Sequence, residues 1–372
     1  MIKQKKSIQP ILPYPAGKPI DEVKRELGLS RVVKLASNEN PFGCSPAARA
    51  AMERAVAQCS LYPDGYAYEL RMKLAEQHGL APEQFVFGTG SDGLIELICK
   101  AFLEDGDESV IPAPSFSLYE ANVRAAGATP VVVPCGEDYR IDTSAMAAAV
   151  TERTKVLWLC NPNNPTGRIV TAAEQERLLC AVPAHVLVVL DEAYYEFAKE
   201  NPTYPDSMTQ LADRDNVIVL RTFSKAYGLA GLRVGFGMAH KEIISEMERV
   251  RAPFNVNLIA QQGAAAALAD SGFVAFAVEE NRKNRAILCR GFERLGLSYL
   301  ASETNFVAVN IKKDSKMAFD ALLRRGYIVK GGHALGMPGY LRVSVGTKEE
   351  CEGFLTALDM LIRKLLKKRS LP

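Results

Sequence analysis

The stretch TFSKAYGLAGLR at residues 222–233 follows VIVL at 217–220, an apolar run typical of a buried strand. Ser224, Lys225 and Arg233 therefore lie near the carboxyl end of that strand, where open α/β sheets bind ligands. A lysine amine forms an imine with an aldehyde, and a dry site beside another cation activates it. An arginine and a hydroxyl can both donate hydrogen bonds to a phosphate ester. The stretch predicts a site for a phosphorylated aldehyde, although a lysine after a strand is more often only a surface residue.

Similar apolar runs precede and follow this one and alternate with helical patterns. They lie at 85–87, 110–111, 131–133, 156–159, 186–190 and 234–238. Such alternation specifies an α/β fold with a mostly parallel sheet wrapped by helices. Together with the run at 217–220, these segments predict a seven-stranded sheet in a large domain.

The chain has 372 residues, which is long for one core, so a second domain is expected. A helical pattern from 258 through 278 and beyond predicts a linking helix. Strand-like runs at 305–311, 327–330 and 341–345, with a helical pattern near 315–325, predict a smaller α+β domain. The predicted boundaries are an N-terminal arm with part of the small domain at 1–44, the large domain at 45–258 and the small domain at 259–372.

Polar residues follow other predicted strands as well. Asp191 and Tyr194 come directly after the run at 186–190. An aspartate at the end of a buried strand could hold the proton on a ring nitrogen of a bound ligand. Aspartate is also a good helix N-cap, and both interpretations stay open. The segment NPNNPTG at 161–167 is explained as a rigid turn by its prolines, asparagines and glycine.

The segment FVFGTGSDG at 85–93 matches the G-x-G-x-x-G dinucleotide fingerprint, with a strand before it and a helix after it. That fingerprint also needs an acid about 20 residues further on for a ribose hydroxyl. The next strand, near 110–111, runs into PAPSF with no acid at its end. We therefore reject a nicotinamide- or flavin-binding protein. What remains is a helix N-terminus at Ser91 and Asp92, whose backbone N–H groups accept a phosphate.

These motifs resemble those of the pyridoxal-phosphate (PLP) enzymes of the aspartate aminotransferase type, which have fold type I. The resemblance covers nearly the whole chain and is most specific to the histidinol-phosphate aminotransferases, on KLASNENPFG at 34–43, LYPDG at 61–65 and LRVSVGT at 341–347. It implies PLP-dependent transamination of histidinol phosphate with 2-oxoglutarate in histidine biosynthesis. It also implies a homodimer in which each subunit completes the other's site.

The resemblance gives roles to individual residues. Lys225 is expected to carry PLP and to move the proton of the reaction, while Asp191 keeps the ring nitrogen protonated. Tyr194 is expected at the phenolic oxygen of the cofactor. The other expected cofactor residues are Asn164 at the phenolic oxygen, Phe116 against the ring, and Ser91, Asp92, Ser224, Arg233 and the partner subunit's Tyr62 at the phosphate. Without the resemblance, an aromatic residue at 116 is explained as core.

The substrate is expected to contact Tyr14, Asn164, Lys330 and Arg342, with Arg342 gripping its acidic end. The chain departs from the family at Lys330, where an arginine is usual. Lysine is a compact point charge and does not bind a phosphate bidentately. An aromatic amino acid is therefore the alternative donor, and Lys330 is equally explained as a solvated lysine at a strand end. A PLP-dependent decarboxylase of the phosphothreonine type is a further alternative, because it shares the lysine and the aspartate.

Composition narrows the classes of protein to which the chain could belong. Hydrophobic content of 48% and charged content of 24% are ordinary for a soluble globular protein. A net charge of +2 indicates neither a nucleic-acid nor a membrane partner, and no run approaches the ~18 apolar residues of a membrane span. The amino terminus lacks the apolar segment of a signal peptide. The 8 scattered cysteines predict reduced thiols in a cytoplasmic protein, and the 4 separated histidines predict no metal site.

Overall fold

All seven apolar runs predicted as strands form one sheet in the computed structural model, which describes residues 2–13 and 17–367. The strands of this part of the chain are β1 (Val33–Lys34), β2 (Phe85–Gly88), β3 (Glu108–Ala113), β4 (Thr129–Pro134), β5 (Thr154–Cys160), β6 (Leu187–Asp191), β7 (Val217–Thr222), β8 (Gly235–Ala239), β9 (Ser298–Tyr299), β10 (Phe306–Asn310), β11 (Tyr327–Ile328), β12 (Lys330–Gly331) and β13 (Tyr340–Ser344). The helices are α1 (Ile20–Leu27), α2 (Pro46–Val56), α3 (Tyr68–His78), α4 (Gly90–Phe102), α5 (Leu118–Ala126), α6 (Thr143–Ala148), α7 (Ala172–Ala181), α8 (Tyr195–Ala198), α9 (Ser207–Asp213), α10 (Lys241–Val250), α11 (Leu258–Ala269), α12 (Ser271–Arg294), α13 (Ser315–Leu323) and α14 (Lys348–Lys367).

The strand order of the large sheet is β2-β8-β7-β6-β5-β3-β4. Strand β8 runs antiparallel to both of its neighbours, and the other pairings are parallel. The carboxyl ends of β2, β5, β6 and β7 therefore lie at the same edge as the amino end of β8. This edge is where an open α/β sheet binds ligands.

The central strands are apolar throughout because helices cover both faces of the sheet. Along β6, Val188 and Leu190 belong to one core cluster, whereas Leu187 and Val189 belong to the cluster on the opposite face. This alternation is the two-residue period of a strand. A strand buried on both faces appears in the sequence as a continuous apolar run, which is why the sheet was predictable.

A second sheet, with the order β12-β13-β10-β9, shares an apolar core with α12, α13 and α14. The amino-terminal segment joins this part of the fold, since β1 pairs in parallel with β11 through Val33 with Tyr327 and Lys34 with Ile328. Leu35 packs in the same apolar cluster as Phe292 and Phe354. The segment 34–43 is thereby fixed where the second sheet meets the edge of the large one.

The helices differ from the prediction in two places. The linking helix predicted from 258 onward is wrong as a single helix, because α11 ends at Ala269 and α12 begins at Ser271. Asp270 between them has φ −104° and ψ 65°, and its carboxylate accepts a hydrogen bond from the Phe273 N–H, capping α12. Helices α1 and α14 are further elements that were not predicted. Within 2–13 and 17–367, no helix combines the length and apolarity that crossing a bilayer requires.

Candidate active site

The polar residues singled out in the sequence meet at one edge of the large sheet. Asp191 is the last residue of β6 and pairs with Cys160 at the end of β5. Lys225 follows the end of β7, and Arg233 precedes the start of β8. Helix α4 begins directly after β2 at the same edge. The topology thus brings together groups that are far apart in the chain.

The amine of Lys225 lies inside the protein, although the residue as a whole is only half-buried. Its Nζ donates a hydrogen bond to the Ser37 carbonyl at 3.2 Å and lies 5.8 Å from the centroid of the Tyr194 ring. Burial, then the Arg342 cation, lowers the pKa of this amine to about 8, and Arg233 adds a smaller effect. Arg342 is therefore the cation that lowers this pKa most, ahead of Arg233 on the neighbouring segment.

Asp191 is a buried carboxylate with both oxygens engaged. The Tyr119 hydroxyl donates to Oδ2 at 2.6 Å, and the Ala193 N–H donates to Oδ1 at 3.2 Å. Burial raises the pKa of Asp191 to about 6, against the opposing effect of these two hydrogen bonds. The contact with Ala193 closes a local turn, whereas the N-cap of α8 is Tyr194, so the helix-capping interpretation of Asp191 is wrong.

The start of α4 forms an anion-binding corner with Arg233. The N–H groups of the first helical turn, which includes Ser91 and Asp92, have no partner within the helix and carry the positive end of its dipole. Arg233 Nη2 lies 3.2 Å from Asp92 Oδ2, and Nη1 donates to Ser224 Oγ at 3.3 Å. A Cβ at Gly90 would lie 2.5 Å from Arg233 Nη2, so a side chain here would displace the guanidinium, and φ +76° also favours glycine.

Asn38 links this edge to the second sheet, a role that the sequence analysis missed. Its Nδ2 donates to the Tyr194 hydroxyl at 2.9 Å, and its Oδ1 accepts from Ser344 Oγ at 2.8 Å. Asn305 Nδ2 donates to the Asn38 carbonyl at 2.8 Å. Asn38 has φ 57°, a left-handed conformation that asparagine tolerates better than most residues. The only sequence signal was its place in the segment 34–43.

Arg342 joins the second sheet to the 161–167 turn. Its Nη1 donates to Asn164 Oδ1 at 2.6 Å, and its Nη2 donates to the Ala36 carbonyl at 2.6 Å. Lys330 is its register partner on β12. Burial, and then the Arg342 cation, lowers the pKa of Lys330. Two cationic side chains therefore sit beside each other at this end of the site.

Two further predicted residues, Phe116 and Tyr62, are described by the structure. Phe116 is half-buried, and its ring meets the Tyr119 ring edge to face, with centroids 5.7 Å apart. Tyr62 is 83% exposed and stacks on Phe254 with centroids 4.8 Å apart, so it belongs to the surface of its own chain. Tyr14 lies outside the described residues.

The donor set at this edge fits PLP. The buried amine of Lys225, with a pKa of about 8, can react with the aldehyde of PLP. The Asp191 carboxylate can accept a hydrogen bond from the protonated ring nitrogen, and the start of α4 with Arg233 can bind the phosphate. Within 2–13 and 17–367, no cluster of histidine, cysteine, aspartate and glutamate is placed to hold a metal ion. The fold and this set of groups define a PLP enzyme of fold type I.

Comparisons with known proteins agree with this class. The family model described as aminotransferase class I and II matches residues 30–358. A histidinol-phosphate aminotransferase of Brevibacillus brevis is 48% identical over 95% of this chain and 97% of that protein. One from Halalkalibacterium halodurans is 44% identical over 98% of each chain. The crystal structure of the histidinol-phosphate aminotransferase from Sinorhizobium meliloti, in complex with pyridoxal-5'-phosphate, has a TM-score of 0.89 and 30% identity, covering 98% of this chain and 99% of that one.

The chain belongs to the histidinol-phosphate aminotransferases, within the aminotransferase class I and II family. It is an aminotransferase, and its cofactor is PLP. The predicted fold class and the predicted resemblance are confirmed. The contact that each site residue makes with cofactor or substrate stays a prediction.

Proposed function

We propose that the enzyme transfers the amino group of histidinol phosphate to 2-oxoglutarate, giving imidazole acetol phosphate and glutamate in histidine biosynthesis. The observation that carries the proposal is the pair of cations Lys330 and Arg342, in register on neighbouring strands. Arg342 also lowers the pKa of Lys225, so the Arg342 cation lies close to the proposed reacting amine. A substrate with an anionic end and an amine to lose fits this arrangement. The names of the relatives support histidinol phosphate as the donor.

Bound PLP supplies an electron sink for the bond cleaved at the substrate carbon. Between turnovers, Lys225 would hold the cofactor through the aldehyde carbon of PLP. The residues that would hold the rest of the cofactor are Asp191 at the ring nitrogen, Phe116 against the ring, Tyr194 and Asn164 at the phenolic oxygen, and Ser91, Asp92, Ser224 and Arg233 at the phosphate.

The proposed role of Lys225 is to take a proton from the substrate carbon that bears the amine. Only the neutral amine accepts a proton, so its pKa has to lie near the working pH. Burial and the Arg342 cation provide this by lowering that pKa to about 8. Lys225 Nζ lies near Ser37 and Tyr194, where it is held at the wall of the site.

The hydrogen bonds within the site leave the right donors for the phenolic oxygen. Asn38 donates to the Tyr194 hydroxyl, so the hydrogen of that hydroxyl remains to be donated elsewhere. Arginine carries only donors, so Arg342 fixes the Asn164 oxygen toward itself. The amide nitrogen of Asn164 then faces away from Arg342 and is left to donate. Both donors would stabilise negative charge on the phenolic oxygen.

The alternative donor is an aromatic amino acid, and the observation that favours it is Lys330. A lysine offers a phosphate a point charge but no bidentate grip. We propose to compare histidinol phosphate, phenylalanine and phosphothreonine as donors, with 2-oxoglutarate supplied, while following glutamate and carbon dioxide. We expect glutamate from histidinol phosphate, with kcat/KM more than about tenfold above that for phenylalanine. A preference for phenylalanine would overturn the substrate, and carbon dioxide without glutamate would indicate a decarboxylase.

A Lys330→Met variant sharpens this comparison. The variant removes the charge and keeps a long side chain, so it should reduce kcat/KM for histidinol phosphate about 10- to 100-fold, as expected when a hydrogen bond to a charged group is lost. The phenylalanine reaction, which lacks the phosphate, should change less than about threefold. Equal losses of kcat/KM for both donors would show that Lys330 does not bind the substrate phosphate.

We also propose that the enzyme is a homodimer. Large apolar side chains are exposed together around α3, including Leu61 at 67%, Tyr62 at 83% and Tyr66 at 65% exposure. Exposed apolar groups that cluster in this way mark protein–protein interfaces. Phe254, which stacks on Tyr62, is exposed as well. By the resemblance, Tyr62 reaches the phosphate in the partner's site.

Mixed dimers test this shared site. Tyr62→Ala and Lys225→Ala variants should each have low activity, because each breaks both sites of its own dimer. After subunit exchange, one site of a mixed dimer carries both substitutions and the other carries neither, so activity should return. No return of activity, with exchange proven by native mass spectrometry, would exclude the shared site.

A cytoplasmic location is also proposed. All of the cysteines, Cys44, Cys59, Cys99, Cys135, Cys160, Cys180, Cys289 and Cys351, are free thiols, which fits a reducing compartment.

A further inference from the structure

Tyr119 lies behind Asp191 and has no place in the chemistry described so far. Its side chain is fully buried, and its hydroxyl donates to Asp191 Oδ2 at 2.6 Å. A short hydrogen bond from a neutral O–H to a carboxylate is among the stronger ones in proteins. The other oxygen, Oδ1, accepts from the Ala193 N–H at 3.2 Å. Tyr119 therefore provides a side-chain hydrogen bond to this carboxylate from the side of helix α5.

The ring of Tyr119 is held on two sides. It stacks on Trp158 with centroids 4.8 Å apart and planes at 17°, and it meets Phe116 edge to face. The Trp158 indole N–H donates to Ser109 Oγ at 2.9 Å, which fixes the stacking partner in turn. Trp158 is itself fully buried. The hydroxyl of Tyr119 is thereby held beside Asp191 and the Cys160 thiol, and it donates to the Asp191 carboxylate.

We infer that Tyr119 is a positioning residue that keeps Asp191 ionised and oriented toward the ring nitrogen of the cofactor, so that this nitrogen retains its proton. The inference rests on the proposed placement of Asp191 at that nitrogen. Tyr119 does not touch the reacting atoms in this account. It acts through the carboxylate, by stabilising the charged form in a buried place.

The electrostatic surroundings agree with the geometry. Burial raises the pKa of Asp191 to about 6, and the negative charges of Asp92 and Glu192 act in the same direction. The hydrogen bond from Tyr119 is the largest opposing influence. Burial also raises the pKa of Tyr119, followed by the effects of Asp191 and Cys160, so its hydroxyl stays a donor at any working pH. Loss of that hydroxyl would favour the protonated, neutral form of Asp191.

The test compares PLP with 1-deazapyridoxal phosphate, an analogue in which a C–H replaces the ring nitrogen. Dissociation constants are measured spectroscopically for the wild type and for Tyr119→Phe. A hydrogen bond to a charged group corresponds to an effect of about 10- to 100-fold. The Phe variant should bind PLP weaker by about that factor and the analogue weaker by less than about threefold.

A Tyr204→Phe variant is the matched control. Tyr204 is also buried, and its hydroxyl donates to the Asn161 carbonyl at 2.6 Å, with no contact to Asp191. Its loss should change the affinities for PLP and for the analogue by the same factor. If Tyr119→Phe also weakened both cofactors equally, the residue would be merely structural and the inference would be overturned.

An Asp191→Asn variant separates this inference from the proposed function. It should lose the preference for PLP over the analogue, because it removes the charge at the ring nitrogen. If it loses that preference while Tyr119→Phe keeps it, the role of Tyr119 is wrong and the placement of Asp191 stands. If Asp191→Asn keeps the preference, both the placement of Asp191 and the role of Tyr119 are wrong.

Discussion

Asn38 donates a hydrogen bond to the Tyr194 hydroxyl at 2.9 Å, although the two residues lie on segments that fold against different sheets. The same asparagine accepts from Ser344 on β13. The orientation of Tyr194 therefore depends on how the second sheet docks at the edge of the large one. This dependence makes Asn38 a direct test of the site.

Replacing Asn38 should separate its hydrogen bonds from its backbone conformation. Both Asn38→Gly and Asn38→Ala remove the bond to Tyr194, so kcat/KM should fall about tenfold in each. Alanine tolerates φ 57° poorly, so the Ala variant should also be less stable than the Gly variant by about 1 kcal/mol in urea unfolding. Activity close to that of the wild type in Asn38→Gly would contradict the role given to this side chain.

Gly228 follows Lys225 in a tight turn that has no room for a side chain. It has φ +71°, and a Cβ there would lie 1.8 Å from the Gly43 carbonyl oxygen. Gly228→Ala should therefore lower the free energy of unfolding by more than about 2 kcal/mol and reduce turnover. Gly231→Ala is the control, because no atom lies within 4 Å of its Cβ. Its free energy of unfolding should change by less than about 0.5 kcal/mol, and similar effects of the two variants would refute the steric argument.

Glu192 and Arg221 form an ion pair buried beneath the site. Arg221 Nε and Nη2 donate to Glu192 Oε2 at 3.0 and 2.8 Å, and Ser207 Oγ donates to Oε1 at 2.5 Å. Glu192→Gln removes the carboxylate that is hydrogen-bonded to the buried Arg221 cation, so it should destabilise the protein by about 3–5 kcal/mol in urea unfolding. Asp359→Asn breaks a pair with Arg363 on the surface of α14 and should leave the unfolding midpoint unchanged. A loss below about 1 kcal/mol for Glu192→Gln would argue against a structural role of the pair.

The activity should rise with pH through the titration of Lys225. The neutral amine is the active form, and Lys225 would be released from the cofactor only in the substrate complex, so kcat should be low in acid, half-maximal at about pH 8 and level off above about pH 9. Arg342→Gln removes the cation that lowers this pKa most, so the rise should move to higher pH. Arg363→Gln, on the exposed face of α14, should leave the profile in place. A rise centred near the ordinary lysine pKa in the wild type would show that the amine is not activated.

The large sheet was predictable because its strands are buried on both faces. Val188 and Val189 face opposite clusters, so nothing polar interrupts the run, and the polar residue that ends it, Asp191, marks the ligand-binding edge. Lys225 and Arg233 were found for the same reason. Local sequence is sufficient where a strand leads directly into the residue that acts.

The supporting network could not be predicted in this way. Asn38 meets Ser344 across a separation of 306 residues, and no local pattern records such a contact. Tyr119 shares the buried face of α5 with Val123 and resembles ordinary core, since a sequence does not show where its hydroxyl points. Asp270 was hidden within an apolar helical pattern, where its capping bond to Phe273 breaks the helix. These contacts depend on tertiary docking.

The most direct measurement is the site of covalent attachment. Protein loaded with PLP is reduced with borohydride, digested and mapped by mass spectrometry. The account predicts that the cofactor's mass is found on Lys225, with loss of the visible absorption band, and that Lys225→Ala takes up no label. Label on any other lysine, or undiminished labelling of Lys225→Ala, would contradict it.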